Sequence, residues 1–353
     1  FKIHPFISIM LVSLVFGLVA GIPLVNQTLE DGTTVSGIAS VIGAGFSGTF
    51  TSIGIVIILG ALVGSILEAT GGAFKLADMV VSLVGKNHPE IAMELMGWIV
   101  SIPVFCDSGF VILNPIRKAI VQKTAASSVM LTVCLSCGLY VSHVFIPPTP
   151  GPIAAAGSLG LENDLLLVMG LGVICSILPL IAGVVFARFI GKRVKAEDEA
   201  DASGNVATYE EIKAQYGQLP GGFITLAPIV VPIVLMALGS ISSMAKWTGF
   251  GADLCTFFGT PMIALAVGVV FGVIQLAVTA NLDKFHDLVQ ETLKTVGPIL
   301  FITAAGGVLG KVIASTDMVN FIKEQAVTLE ALGIFFPFLL AAILKTAQGS
   351  STV

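Results

Sequence analysis

Charge is what this chain has least of. Asp, Glu, Lys and Arg make up 11% of its 353 residues, where an ordinary soluble domain carries roughly a quarter. Hydrophobic residues reach 55% and mean hydropathy is +0.99. An ordinary water-exposed surface cannot be built from that composition. No basic patch with interleaved aromatics occurs, which argues against a nucleic-acid partner. Cysteine is also sparse, and Cys106, Cys134, Cys137, Cys175 and Cys255 all lie in or beside apolar stretches. Cys134 and Cys137 would share one helix face, but a metal would need further ligands nearby and a redox motif a soluble fold. They are expected to pack, with no metal and no cofactor. Residues 6–25 lack a charged leading region and an Ala-x-Ala site, so they do not read as a signal peptide.

Apolar runs are what the chain has instead. Stretches near the roughly 20 residues needed to cross a bilayer fall at 6–25, 49–68, 125–146, 165–190, 223–244, 256–280 and 295–314. The fold class expected is all-α, a polytopic membrane protein. Its 39 glycines and 16 prolines suit close helix contacts and broken segments. Lys75, Lys86, Arg117, Lys118, Lys123, Arg188, Lys192, Arg193 and Lys195 mark cytoplasmic stretches by the positive-inside rule, whereas 26–48 and 147–164 hold acids and no bases.

One pattern recurs. Gly60-Ala-Leu-Val-Gly64 is matched by Gly306-Gly-Val-Leu-Gly310, and 306 − 60 and 310 − 64 are both 246. The match runs from Leu59 to Thr70 and from Ala305 to Thr316, with the closing Thr in register. His4-Pro5 and Thr260-Pro261 likewise open the preceding helices. Following the loop charges, 49–68 runs inward and 295–314 outward, an inverted-topology repeat of the kind that encloses a transporter site. Residues 1–190 form the first repeat, 191–222 a cytoplasmic connection and 223–353 the second repeat. A helix is expected before Phe1 and further spans after Val353.

Backbone breaks locate the chemistry. Residues 91–116 carry Pro103, then Cys106-Asp107-Ser108-Gly109, then Asn114-Pro115, with cytoplasmic signals on both flanks. They read as a re-entrant hairpin with its tip at 102–109. Adding 246 to 102–107 reaches Gln348-Gly-Ser-Ser-Thr-Val353, the tip of a second hairpin. Broken backbone at membrane depth survives only against protein or a water-filled cavity, and helix N-termini at such tips suit an anion. A third break, Ile146-Pro-Pro-Thr-Pro-Gly-Pro152, cannot continue a helix. The candidate substrate contacts are Asp107, Ser108, Gly109, Thr149, Gly349, Ser350, Ser351 and Thr352. Proton coupling is assigned to Asp107 and His143. Glu68, Glu94 and Lys345 are further buried ionisable candidates, although Glu68 and Glu94 are expected at the cytoplasmic ends of spans, where solvation is the ordinary state.

Three segments together resemble the gluconate permease family. They are Ile102-Pro-Val-Phe-Cys-Asp-Ser-Gly-Phe-Val-Ile-Leu-Asn-Pro115, Pro147-Pro-Thr-Pro-Gly-Pro-Ile-Ala-Ala-Ala156 and Gln348-Gly-Ser-Ser-Thr-Val353, with Phe1-Lys-Ile-His-Pro-Phe6 and Gly48-Thr-Phe-Thr51 in support. The resemblance covers essentially the whole chain. It implies a proton-linked importer of small sugar acids in a bacterial inner membrane, within the ion transporter superfamily with its paired hairpins. The family pattern has Glu-Val-Gly-Phe where this chain has Asp107-Ser-Gly-Phe110, and often His where it has Thr149. Erythronate, threonate, glycerate or D-serine therefore stand beside gluconate as substrates, and sodium beside the proton. Two other classes compete. Gly45-Phe-Ser-Gly48 fits an intramembrane serine protease pattern, with Ser47 as nucleophile and His143 as base, although a helix cap is the ordinary role of Ser47. A channel would explain the breaks but not the inverted halves. The glycine pairs are expected to pack within the chain, which leaves a homo-oligomer open.

Overall fold

A computed structural model describes residues 4–28, 32, 34–76, 79, 88–124, 126–196, 219–318, 335, 337–339 and 341–342. Helices dominate these residues. Only one strand pair interrupts them, Gln27–Thr28 with Thr34–Val35, antiparallel. Among the described residues, six helical stretches are long and apolar enough to cross a membrane. The all-α polytopic reading holds.

The chain divides into two compact units, one of Phe1–Ile55 with Thr295–Val353 and the other of Val56–Lys294. The first holds α1 (Pro5–Val19) and α2 (Ile38–Thr49), followed by a π turn at Phe50–Gly54. It also takes the C-terminal half of the last long helix, Phe285–Ala314. Ile22, Ile38, Val41, Val308 and Val312 form its core, and Phe6, Phe46, Phe50 and Phe301 stack beside one another.

The second unit runs through α3 (Ile55–Ala69), α4 (Pro89–Val100), α5 (Cys106–Thr124), α6 (Ser128–Phe145), α7 (Pro150–Ser158), α8 (Leu165–Gly191), α9 (Gly222–Met244), α10 (Phe250–Gly259) and α11 (Pro261–Val278). A 3-10 turn, Leu282–Lys284, leads into α12 (Phe285–Ala314). α4, α6 and α8 pack together, as do α9, α10 and α11. Phe74, Met93, Met96, Leu113, Leu131 and Leu135 fill the first of these cores. In α8 the buried positions are mostly small, Gly172, Ser176, Gly183 and Ala187, while Ile174, Leu178, Ile181 and Val185 are exposed. A lipid-facing helix is built this way: bulky apolar groups meet acyl chains, and small residues let backbones approach.

Several spans differ at their ends from the hydropathy reading. The helix expected over 49–68 begins at Ile38, because Gly43, Gly45 and Gly48 lower local hydropathy without stopping a helix that is packed on the face of Ile38, Val41 and Gly45. Ser47 therefore sits inside α2, donating to the Ala44 carbonyl at 3.4 Å, and the cap position belongs to Gly37. The run 256–280 is two helices, parted at Thr260, where Pro261 cannot continue α10 but suits the first turn of α11. His4-Pro5 opens α1 in the same way, the His4 imidazole accepting from Phe6 N at 3.3 Å. The register threonines also behave alike. Thr70 donates to the Ile66 carbonyl at 2.8 Å just past the end of α3, and Thr316 to the Ile313 carbonyl at 2.8 Å just past α12.

Candidate functional site

α4 is too short to span. Its 12 residues rise about 18 Å at 1.5 Å each, against a hydrocarbon core of about 30 Å. Pro89 starts it, and the break after Val100 ends it. Within the break, the fully buried Ser101 donates its hydroxyl to the Val104 carbonyl at 3.1 Å. The chain then re-enters a helix at Cys106, with Gly109 N bonded to the Phe105 carbonyl at 2.8 Å. The first N–H groups of α5 precede that bond and have no carbonyl of their own helix to meet.

The proline-rich segment makes the second break, and it is shorter than the proline count suggests. α6 ends at Phe145, Pro147 and Pro148 cross the gap through a cis bond, and α7 starts at Pro150. Pro150 and Pro152 fall in the first helical turn, where a missing N–H costs nothing. Thr149 is the cap residue, 4% exposed. Its hydroxyl lies 2.7 Å from the Ile146 carbonyl and 2.9 Å from the His143 carbonyl. The His143 imidazole is buried as well, 5.9 Å from the Phe105 ring of the first break.

Both breaks open on one small cavity. Ile102 and Pro103 line it from the first, Pro147 and Pro148 from the second, and Pro228 and Pro232 from α9. The glycines of α3 hold the breaks in place. A Cβ at Gly60 would stand 2.8 Å from Pro148 Cβ, and one at Gly64 would collide with the Pro103 carbonyl oxygen. The Gly-x-x-x-Gly stripe is thus the seat on which two irregular segments rest. Polar links tie α3 into the same unit. Gln275 Nε2 donates to Thr70 Oγ1 at 2.7 Å, and Thr292 to Ser65 Oγ at 2.9 Å.

The residues that line this cavity are apolar, and Gly109, His143 and Thr149 are not among them: Gly109 packs against Leu139 and Val104, and Thr149 follows the lining residue Pro148 in sequence. The backbone of Asp107 and Ser108 lies in the first turn of α5. Gly349, Ser350, Ser351, Thr352 and Lys345 lie outside the described residues. One expectation is overturned. Glu94 does not sit at a solvated end: it is 1% exposed, in the second turn of α4. His88-Pro89 was the signal available, because a proline helix start at 89 carries residue 94 inward along a helix of Met93, Leu95 and Met96. Glu90, one turn earlier, is buried too, at 7% exposure, but it is paired. Arg188 donates to its carboxylate at 2.6 Å. Burial works to raise the Glu90 carboxyl, but the Arg188 hydrogen bond and charge, with His88 beside it, hold it below the ordinary range.

Comparison with known proteins places the chain. A family model described as GntP family permease matches residues 1–353. An uncharacterised permease of Haemophilus influenzae is 34% identical over 367 residues, spanning all of this chain and 72% of its own length. The inner membrane permease YgbN of Escherichia coli is 30% identical, with all of this chain and 76% of that protein covered. A gluconate permease of Pseudomonas aeruginosa is 27% identical at the same coverage. The chain belongs to the GntP permease family. It is a multi-pass membrane permease and not an enzyme, so the protease reading of Ser47 falls.

Proposed function

We propose that this GntP family permease imports a small hydroxy acid, gluconate or a similar aldonate, by proton symport with alternating access in the bacterial inner membrane. The observation that carries the reading is the meeting of two backbone breaks, 101–105 and 146–149, on one cavity. Each break is followed at once by a helix N-terminus, and two such ends favour a carboxylate through their amides and dipoles. Relatives named as gluconate permeases and transporters support the substrate class.

In this reading Asp107, Ser108 and Gly109 meet substrate at the first break and Thr149 at the second. Gly349, Ser350, Ser351 and Thr352 meet it at the repeat-equivalent position. Asp107 and His143 couple transport to the proton. Thr149 has its proton engaged with backbone, which leaves its oxygen lone pairs for a substrate hydroxyl. Repeats 1–190 and 223–353, joined by 191–222, supply the two mirror states, each with one re-entrant hairpin.

The test is uptake of labelled gluconate into proteoliposomes of the full-length protein, under an inward proton gradient and without sodium. Erythronate, threonate, glycerate and D-serine serve as competitors. Gradient-dependent uptake is expected, and the competition order names the substrate. Uptake that appears only with sodium would replace the proton. Absence of uptake under both gradients would sink the sugar-acid assignment.

A further inference from the structure

Glu94 is the least explained side chain in the molecule. Its carboxyl is buried at 1% exposure, and neither Oε1 nor Oε2 meets a nitrogen or oxygen donor among the described residues. The indole Nε1 of Trp98, one turn along the same helix, is also buried without a partner. Buried polar atoms are otherwise paired in the great majority of cases, so three orphans in one seam call for a cause. The surroundings are shaped around them. A Cβ at Gly183 of α8 would run into both Glu94 Oε1 and Cys137 Sγ, and one at Gly138 of α6 would run into the Glu94 carbonyl. Gly183 keeps the space that the carboxyl occupies, and Gly138 lets α6 approach the α4 backbone beside it.

The groups around Glu94 on each packed element are few. α6 presents the thiols of Cys134 and Cys137, and the Cys137 thiol also lies 3.9 Å from the Pro179 carbonyl of α8. The base of α8, Arg188, is committed to Glu90 at 2.6 Å. Of the α5 bases, Arg117 bonds Asn114 Oδ1 at 2.8 Å and the Ser128 hydroxyl, and Lys118 is exposed. No cation among the described residues is directed at Glu94. An ionised carboxylate there would be both desolvated and unneutralised, the costliest form such a group can take. A carboxyl inside a membrane protein that is stable in this surrounding only with its proton on is a proton site by default.

We propose that Glu94 carries the transported proton in the conformation described, taking it from the outer aqueous side and releasing it to the cytoplasm when the seam between α4, α6 and α8 opens. The inference rests on the proton-symport reading and gives that reading a second carboxyl, distinct from Asp107. Substrate contact is not required of Glu94, whose place is the seam and not the cavity rim.

Glu94→Gln mimics the permanently protonated acid, so it separates proton cycling from substrate movement. In proteoliposomes of the full-length variant, counterflow exchange of labelled gluconate is expected at near the wild-type rate. Gradient-driven accumulation is expected to fall at least tenfold, and Glu94→Asp to recover part of it. Accumulation by Glu94→Gln at the wild-type level would overturn the proposal. A variant dead in both modes moves the decision to the wild-type protein, treated with a hydrophobic carbodiimide that reacts with protonated carboxyls. Blocked uptake with an adduct on the Glu94 peptide supports the assignment. An adduct with full uptake, or a block without an adduct on Glu94, removes it. Wild-type uptake that ignores the proton gradient would sink the symport reading itself, before any variant is compared.

Discussion

Gly60 and Gly64 lie in α3 with Pro148 and Pro103 against them, whereas Gly306 and Gly310, 246 positions later in α12, have no described atom beyond their own helix within 4 Å of where a Cβ would stand. In the second copy the neighbouring Gly307 makes the close approach instead, abutting Thr49 Oγ1 and the Gly45 carbonyl of α2. The same five-residue pattern thus seats two broken segments in one unit and flanks a helix–helix crossing in the other. What a small residue does in a membrane helix depends on which backbone it admits. The pattern itself says only that something can come close.

That contrast can be broken most forcefully at Gly64. The Pro103 carbonyl cannot retreat without moving the whole first break, so Gly64→Ala is expected to cost about 1–3 kcal/mol through overpacking. Gluconate uptake should be lost even where the variant still folds. Thermal unfolding in detergent, read beside proteoliposome uptake, checks both; normal uptake would detach the glycine stripe from the site. Gly307→Ala should have a smaller effect, because its collision is with a side chain. The added methyl meets Thr49 Oγ1, and the double variant with Thr49→Ala should regain part of the lost melting temperature. Equal losses in the single and double variants would show that the Gly45 carbonyl, and not Thr49, sets the limit. Gly310→Ala is expected to be neutral or to stabilise by up to about 1 kcal/mol, the helix-propensity difference alone. A large loss of stability there would sharpen the comparison in the other direction. It would show that the second stripe is covered by part of the chain outside the described residues.

Legibility varied residue by residue. Pro5 and Pro261 each mark a helix start that the structure keeps, because proline chemistry acts on its own peptide bond and the carbonyl four residues back. The break at Pro147 and Pro148 was equally plain. Its extent was not, since Pro150 and Pro152 read as breakers until the helix they open is seen. The start of α2 was hidden by glycines that lower hydropathy, of which Gly45 packs closely against α12. Glu94 was misplaced for a related reason. The Lys75–Lys86 stretch before it read as cytoplasmic, but exposure is a property of the helix face and not of the neighbours in sequence.

Composition and proline placement determined that this chain lies in a membrane, that it is helical, and that helices open at Pro5 and Pro261. Those outcomes follow from transfer energies and backbone geometry, both summed along the chain itself. Tertiary structure alone decided that Gly60 and Gly64 carry the two breaks, that Glu90 pairs with Arg188, and that Glu94, four residues on, meets no cation among the described residues. Each depends on which helix faces which. A four-residue step along a helix changes a side chain's surroundings completely once another helix packs over one turn and not the next.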